Sequence, residues 1–183
     1  IPSGLKKIEG TDALGVDEVG LPEEMAWTIY EPFVRNQLSK ELGSAVDAKE
    51  EYEDRTDKAR KELKRVMQDR PVLLNRDPSW LQHTVTAHEP KLISEDPESN
   101  DTEKAIRVPN QVVAPFQGGD FDGDTMSAHV PVTDAAVNEA HSMKPSRNLR
   151  APGSKKLLVH PDHSQLLGLH DLSQVAGSSP VAE

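Results

Sequence analysis

Apolar residues recur at helical spacing in the first part of the chain. Met25 and Ile29 lie one turn apart, directly after the segment Gly20-Leu21-Pro22-Glu23-Glu24. The proline suits a first helical position, and the two glutamates suit the positive end of a helix dipole. The pattern therefore predicts a helix beginning near Pro22, which Pro32 is expected to end or kink.

A longer amphipathic pattern lies between Ser44 and Asp69. Its apolar positions repeat at spacings of three, four and seven: Ala45, Ala48, Tyr52, Ala59, Leu63 and Val66. Acidic residues precede basic ones by four positions, the favourable order, at Glu51–Arg55, Asp54–Lys58 and Asp57–Lys61. The pattern predicts one long solvated helix, whose narrow Ala-rich stripe packs on one side while the helix projects from the body.

After Pro71 the pattern changes to short β-rich runs separated by Pro, Gly or Asn. Strands are expected at 72–74, 84–86, 106–108, 111–113 and 127–130, and residues 1–20 are weakly strand-like. A short helix is expected over 133–143, with Thr133 and Asp134 as its cap. Residues 94–103 contain five acids and no base, which predicts a disordered surface loop.

Composition excludes several classes of protein. The chain has no cysteine, which rules out disulfide scaffolds, zinc–thiolate sites, iron–sulfur clusters and cysteine nucleophiles. No apolar run approaches the roughly 20 residues that span a bilayer. A net charge of −10 argues, as an average, against a protein that coats nucleic acid. Since the chain begins at Ile1 with no signal-peptide pattern, it is interpreted as a piece of a longer cytoplasmic protein.

The segment Gly118-Gly119-Asp120-Phe121-Asp122-Gly123-Asp124 is the strongest candidate for chemistry. Three carboxylates alternate over five residues, and their mutual repulsion makes convergence costly unless a cation is bound. Oxygen-only ligands suit a hard ion, Mg²⁺ or Ca²⁺, and the glycines allow the backbone to fold tightly. Phe121 and the flanking apolar runs predict a semi-buried loop.

Two other interpretations of this segment compete with a metal site. An EF-hand loop starting at Asp120 would have Thr125 where Gly is required and Pro131 where a bidentate Glu is required. It fails at both diagnostic positions. A solvated acidic turn without function would be a fair interpretation of scattered acids, but it fits this alternating cluster less well.

The aspartate segment, followed by Met126 and by His129-Val130-Pro131, resembles the catalytic signature of the largest subunit of multisubunit RNA polymerases, the bacterial β′ subunit above all. Residues 70–78, Arg-Pro-Val-Leu-Leu-Asn-Arg-Asp-Pro, resemble the arginine-bearing segment of that family, which precedes its aspartates by a similar interval. Further collinear similarities to the family are His88-Glu89-Pro90, Gly20-Leu21-Pro22 with Met25, Pro32-Phe33-Val34, Asn148-Leu149, Pro152, Pro161 and Leu167-Gly168-Leu169.

The resemblance implies roles for particular residues. Asp120, Asp122 and Asp124 would hold a catalytic Mg²⁺, and a second Mg²⁺ arriving with the triphosphate would share some of these ligands. Arg76 would contact the ribose of the incoming nucleotide, although a surface salt bridge is the simpler interpretation from spacing alone. Gly118-Gly119 stand where the family has Asn-Ala, an asparagine that helps to read the ribose 2′-hydroxyl.

The implied fold is α+β, a double-psi β-barrel with inserted helices. The expected segments are a strand-like barrel segment at 1–20, a helical insertion at 21–69, a barrel core with the metal loop at 70–132, a helix and basic segment at 133–172 and a flexible tail at 173–183. Only residues 1–19 precede the first helix, so the first half of the barrel is expected to be poorly represented.

The resemblance also implies partners. These are other polymerase subunits carrying a second barrel, together with template DNA, RNA and nucleoside triphosphate, and no membrane. Residues 144–156 hold five bases and no acid, and Lys144, Arg147 and Arg150 are the candidate nucleic-acid contacts. The chain alone is expected to be inactive. Two alternatives stay open: a Ca²⁺- or Mg²⁺-binding β-module with a structural role, and a degenerate barrel that binds nucleic acid without catalysis.

Overall fold

The computed structural model describes residues 3–11, 13–79, 82–93, 105–150, 153, 156–158 and 163–175. Six strands form a closed barrel in the order β1-β5-β2-β4-β3-β6. Their bounds are β1 Ser3–Thr11, β2 Glu18–Pro22, β3 Val72–Asn75, β4 Thr86–Ile93, β5 Ile106–Pro109 and β6 Thr125–His129. Among the described strands, closure gives each one a partner on both sides, with β2 and β5 meeting at a single pair, Gly20 and Arg107.

The pairing is mixed, and strands distant in sequence lie side by side. β1 pairs in parallel with β5 and antiparallel with β6, while β2 pairs in parallel with β4. β3 pairs antiparallel with both β4 and β6. The expected α+β class and barrel are therefore confirmed. The expectation of a poorly represented first half is wrong, because residues 3–22 supply two complete strands.

Helix α1, Glu23–Leu42, begins directly after Pro22 and does not end at Pro32. Proline removes one backbone hydrogen bond from a helix. Here the buried residues on both sides of it, Tyr30 and Val34, keep the helix packed on the core. The helix ends at Gly43, which adopts a left-handed φ of 70° and whose N–H bonds the carbonyl of Ser39.

The expected single helix over 44–69 is wrong, because the structure has two helices, α2 Ala45–Glu53 and α3 Asp57–Asp69. Arg55 adopts a left-handed φ of 47°, and the Thr56 side chain then caps α3 by accepting from the N–H of Ala59 at 3.3 Å. Since Glu51–Arg55 and Asp54–Lys58 cross this break, helical spacing does not apply to them. Lys58 instead pairs with Glu41 of α1 at 3.7 Å.

Helix α3 also does not project from the body. Ala59, Leu63, Val66 and Met67 are buried in the same apolar core as the barrel residues. The stripe is therefore one face of the main core, and α1 and α3 together cover one side of the barrel.

The apolar run at 111–113 is helical, and not a strand as expected. Asn110–Val112 form a short turn, α4, which continues as a π-helical turn over Val113–Gln117. Val112, Val113 and Phe116 are buried there. A short apolar run does not distinguish a strand from a buried helical turn, which is why periodicity fails at this point.

The other boundaries agree or shift slightly. Strand β4 begins at Thr86 after a 3₁₀ turn at Gln82–Thr84, so the strand expected at 84–86 starts later. Helix α5, Asp134–Ser142, matches expectation, with the Thr133 side chain accepting from the N–H of Ala136 at 3.1 Å. A 3₁₀ turn follows at Pro145–Arg147.

Helix α6, His163–Val175, extends three residues into the segment interpreted as a tail. The acidic segment 94–103 and the rest of the tail lie outside the described residues. Among the described helices, none has the length and apolarity needed to cross a membrane.

Candidate metal centre

The aspartate loop, residues 118–124, connects the π-helical turn to strand β6. Gly118 ends the turn with a φ of 59°, and its N–H bonds the carbonyl of Ala114 at 3.1 Å. Gly123 adopts a φ of 130°, a conformation that L side chains rarely adopt. These two glycines reverse the chain at the beginning and near the end of the acidic run.

The structure brings the three predicted ligands together. Asp120, Asp122 and Asp124 each offer a carboxylate oxygen, and these oxygens lie within 4.8 Å of one another. Asp120 and Asp122 are exposed and Asp124 is partly buried. Such a cluster presents three hard oxygen donors on one side to solvent, which fits an ion that retains water ligands, as Mg²⁺ does.

The expectation of a semi-buried loop is wrong for Phe121, which is 40% exposed. Its ring lies against the backbone of Gly10 on β1, because a Cβ built on Gly10 would be 2.8 Å from Phe121 Cε2. One face of the ring is therefore covered by the barrel wall while the loop around it stays open to solvent.

Asp124 is the most firmly held of the three aspartates. Its Oδ2 accepts from Arg76 Nε at 2.7 Å and from the N–H of Asp120 at 3.1 Å. Its carbonyl accepts from the N–H of Ile8 on β1 at 3.0 Å. Arg76 follows β3 and Asp124 precedes β6, so the antiparallel pairing of these strands brings the two side chains together.

Gly119 leaves room for Arg76. A Cβ at this position would lie 3.0 Å from Arg76 Cδ and 3.1 Å from Val113 Cγ1. Any larger residue would therefore push against the arginine that holds Asp124.

The aspartates have opposite electrostatic environments. A hydrogen bond to Asp120, and then the charge of Asp120, raise the pKa of Asp122 above its usual range. The hydrogen bonds from Arg76 and from the backbone of Asp120 lower the pKa of Asp124. Arg76 therefore compensates one carboxylate, and the repulsion between Asp120 and Asp122 is the part that a bound cation would relieve.

The candidate nucleic-acid residues differ in exposure. The Lys144 side chain is only 14% exposed and forms an ion pair with Glu89 on β4. Arg147 lies at the end of the 3₁₀ turn and Arg150 forms an isolated β-bridge with Leu157, and both arginines are exposed.

Next to the aspartate loop lies a group of buried polar side chains that the sequence analysis did not predict. Gln117 bonds Thr86, and Thr86 bonds His88, all within the barrel. In the sequence, His88 is singled out only as part of the similarity His88-Glu89-Pro90. The alternation of polar residues at 86 and 88 on a buried strand was the signal available in the sequence.

Comparison with known proteins agrees with this geometry. The family described as RNA polymerase Rpb1, domain 2, matches residues 34–145, a range that includes Arg76 and all three aspartates. The β′ subunit of DNA-directed RNA polymerase from Treponema pallidum (strain Nichols) is 36% identical over 160 residues, 86% of this chain and 11% of the relative. The β′ subunit from Acholeplasma laidlawii (strain PG-8A) is 36% identical over 168 residues, 91% of this chain and 12% of the relative. That from Mycoplasmopsis pulmonis (strain UAB CTIP) is 32% identical over 185 residues, 99% of this chain and 12% of the relative.

The closed barrel with its exposed acidic loop, together with these sequence matches, places the chain in one class of protein, the subunits of multisubunit RNA polymerases. The chain belongs to the RNA polymerase Rpb1 domain 2 family, together with the bacterial β′ subunits. It spans about a tenth of the length of the curated relatives it matches.

Proposed function

We propose that this chain supplies the metal-binding part of the active centre of a DNA-directed RNA polymerase, which transfers nucleotides from nucleoside triphosphates to an RNA 3′ end. The observation that carries the proposal is the convergence of Asp120, Asp122 and Asp124, whose oxygens lie within 4.8 Å of one another. The donor set, three carboxylates with no nitrogen or sulfur, fits Mg²⁺.

Mg²⁺ in this position would lower the pKa of the RNA 3′-hydroxyl and stabilise charge on the α-phosphate. The chain's own residues hold and orient the ligands. Asp124 is fixed from β1 by Ile8 and from β3 by Arg76, so one ligand is immobile before a cation arrives. Asp120 and Asp122 are exposed, and the N–H of Asp120 bonds Asp124 Oδ2 at 3.1 Å.

Arg76 has two roles in this proposal. Its Nε–H bonds Asp124, and the bond does not use the two terminal nitrogens of the guanidinium group. We assign those nitrogens to the ribose of the incoming nucleotide. Arg76 thereby links the nucleotide to the same carboxylate that binds the metal.

Partners follow from the same assignment. The active centre would be completed by other polymerase subunits or segments, and the chain alone would be inactive and located in the cytoplasm. Arg147 and Arg150 are exposed and suit contact with the phosphates of template DNA or RNA. Lys144 is assigned to the same surface, although its ion pair with Glu89 must open for it to contribute.

The test is D122N in the full assembled polymerase. Asparagine keeps the size of the side chain and removes the charge, so template-directed RNA synthesis is expected to fall below detection while DNA binding persists. D171N, a change at an aspartate with a 70% exposed side chain on α6, is the matched control and is expected to keep wild-type synthesis.

Unchanged synthesis by D122N would overturn the catalytic assignment. Metal binding that titrates identically with and without triphosphate and an RNA end would favour the structural cation module instead. A wild-type assembly that binds nucleic acid but makes no RNA would favour the degenerate barrel.

A further inference from the structure

Three buried polar side chains form a continuous chain between strand β4 and the turn that enters the aspartate loop. Gln117 Nε2 donates to Thr86 Oγ1 at 2.8 Å, and Thr86 Oγ1 lies 2.8 Å from His88 Nε2. Gln117 is 4% exposed, Thr86 1% and His88 0%. Thr86 and His88 lie on the same face of β4, because side chains two residues apart in a strand point the same way.

A neutral His88 ring allows donation to run in one direction through the three groups. Burial lowers the pKa of His88 to about 4, so its ring is neutral near pH 7. In the tautomer that carries the ring proton on Nδ1, Nε2 accepts from the Thr86 hydroxyl, whose oxygen accepts from the Gln117 amide. Nδ1 is itself buried and has no hydrogen-bond partner among the residues that the structure describes. The chain therefore runs from Gln117 through Thr86 to His88.

Packing alone does not account for this arrangement. Buried polar groups are costly unless fully bonded, and apolar side chains of similar volume would fill the barrel without that cost. Gln117 Oε1 is buried and has no hydrogen-bond partner among the residues that the structure describes. The glutamine is thus kept in an apolar core at a net cost, which indicates a purpose other than stability.

The place of Gln117 in the chain suggests that purpose. It is the last residue of the π-helical turn, and only Gly118 and Gly119 separate it from Asp120. Two glycines have more backbone freedom than any other pair. This end of the loop is otherwise held by two hydrogen bonds, from the N–H of Gly119 to the carbonyl of Val113 at 3.3 Å and from the N–H of Asp120 to Asp124 Oδ2 at 3.1 Å. The other end of the loop is already held through Asp124 by Ile8 and Arg76.

We propose that the chain Gln117–Thr86–His88 positions the aspartate loop, which makes Gln117 and Thr86 positioning residues for metal binding. The inference rests on the proposed function, because it concerns the same metal site. Anchoring Gln117 to β4 fixes the first end of the loop against the barrel wall, as Arg76 fixes the second. Both ends of the aspartate loop are then held by the same barrel.

The test is Mn²⁺ binding to the full 183-residue chain, measured by electron paramagnetic resonance of the free ion. T86V keeps the shape of the side chain and removes the hydroxyl, and Q117M removes the amide at similar length. Each is expected to weaken Mn²⁺ binding about tenfold, the usual effect of removing an outer-shell partner. T86S retains the hydroxyl and is expected to restore wild-type affinity.

A stability control separates positioning from general loosening. I29V removes one methylene from a residue that is 0% exposed in the same core, on helix α1, which carries neither the polar chain nor the aspartate loop. It is expected to lower the thermal unfolding midpoint and leave the affinity for Mn²⁺ unchanged. Circular dichroism identifies any variant that does not fold. If one of Q117M and T86V does not fold, the Mn²⁺ affinity of the other still tests the proposal.

The outcomes distinguish this inference from the proposed function. If D122N binds Mn²⁺ as tightly as the wild-type chain, the metal site itself is wrong and this inference falls with it. If D122N loses binding but folded T86V and Q117M stay within twofold of the wild type, the metal site stands and the positioning role is wrong. Equal weakening by I29V would also overturn positioning.

Discussion

Residue by residue, the candidate site depends on what each neighbour leaves room for. Gly119 is buried because Arg76 passes 3.0 Å from where its Cβ would be, and Arg76 in turn reaches Asp124 at 2.7 Å. A side chain at 119 would require Arg76 to shift by a few tenths of an ångström. The departure from the family pattern at this position is therefore matched by the packing around it.

His88 gives a residue-scale prediction about pH. Burial is the main cause that lowers its pKa to about 4; the nearby charge of Asp17 opposes this shift and that of Lys144 adds to it. An unfolded histidine titrates near pH 6.5. Because the folded pKa is depressed, the stabilisation is fully present above about pH 6.5 and is lost as pH falls towards 4.

The expected loss from this one group is about 3 kcal/mol over that window. Urea unfolding between pH 7 and pH 4 should therefore show a flatter stability profile for H88F than for the wild-type chain. H170Q, at a histidine whose side chain is 62% exposed, controls for the loss of a histidine as such. Parallel profiles for H88F and the wild type would contradict the assignment.

Among the helices and strands, residues 44–69 show most clearly what a helical pattern predicts and what it does not. Four of the six predicted apolar positions, Ala48, Ala59, Leu63 and Val66, are buried, whereas Tyr52 is partly buried and Ala45 is exposed. The break at Arg55 was missed, because the period of the stripe continues across a turn that keeps α2 and α3 on the same core. Thr56 and Asp57 were the available signal, a capping residue followed by an acid.

The packing of α3 gives an element-scale prediction. Leu63 is 1% exposed in the core shared with the barrel, so L63A is expected to reduce the free energy of unfolding by about 3 kcal/mol. V46A on α2, where the side chain is 74% exposed, is the matched control and should stay within about 0.5 kcal/mol of the wild type.

The form of the unfolding transition tests the same point. Circular dichroism and tryptophan fluorescence should report one coincident transition for the wild type and for L63A, because helices and barrel share one core. A separate early helical transition in L63A would show that α3 is an independent unit and that the shared core is wrongly assigned.

For the molecule as a whole, the net charge of −10 conceals an uneven distribution. Three of the acids form the proposed metal site, while Arg147 and Arg150 are exposed in the basic segment after α5. An overall negative charge repels nucleic acid even where a local basic segment attracts it. The chain should therefore bind nucleic acid weakly by itself.

Fluorescence anisotropy with a labelled RNA–DNA hybrid checks this expectation. At physiological salt the Kd should lie at or above about 10⁻⁴ M, the weak end of non-specific binding. At low salt, R147Q/R150Q should weaken binding and reduce the salt slope by about 2, one for each phosphate contact. K49Q/K58Q removes the same charge from α2 and α3 and should leave the slope unchanged; equal effects would contradict the assigned surface.

Short stretches of sequence were enough to predict the local features of the fold and of the site. The alternation of Asp120, Asp122 and Asp124, the glycines around them, the short strands and the capped helix at Thr133 are all encoded within a few neighbouring residues. Local spacing carries such features because backbone geometry fixes which side chains share a face.

The contacts across the barrel could be recognised only in the folded structure. Arg76 meets Asp124 across 48 residues and Gln117 meets Thr86 across 31, and neither contact exists until the barrel closes. Burial also explains why residues 111–113 form a helical turn and why α3 packs on the core. It is likewise the main reason that the pKa of His88 is low and its ring neutral. Pairing and burial are properties of the whole chain, which is why no window of sequence revealed how the aspartate loop is held.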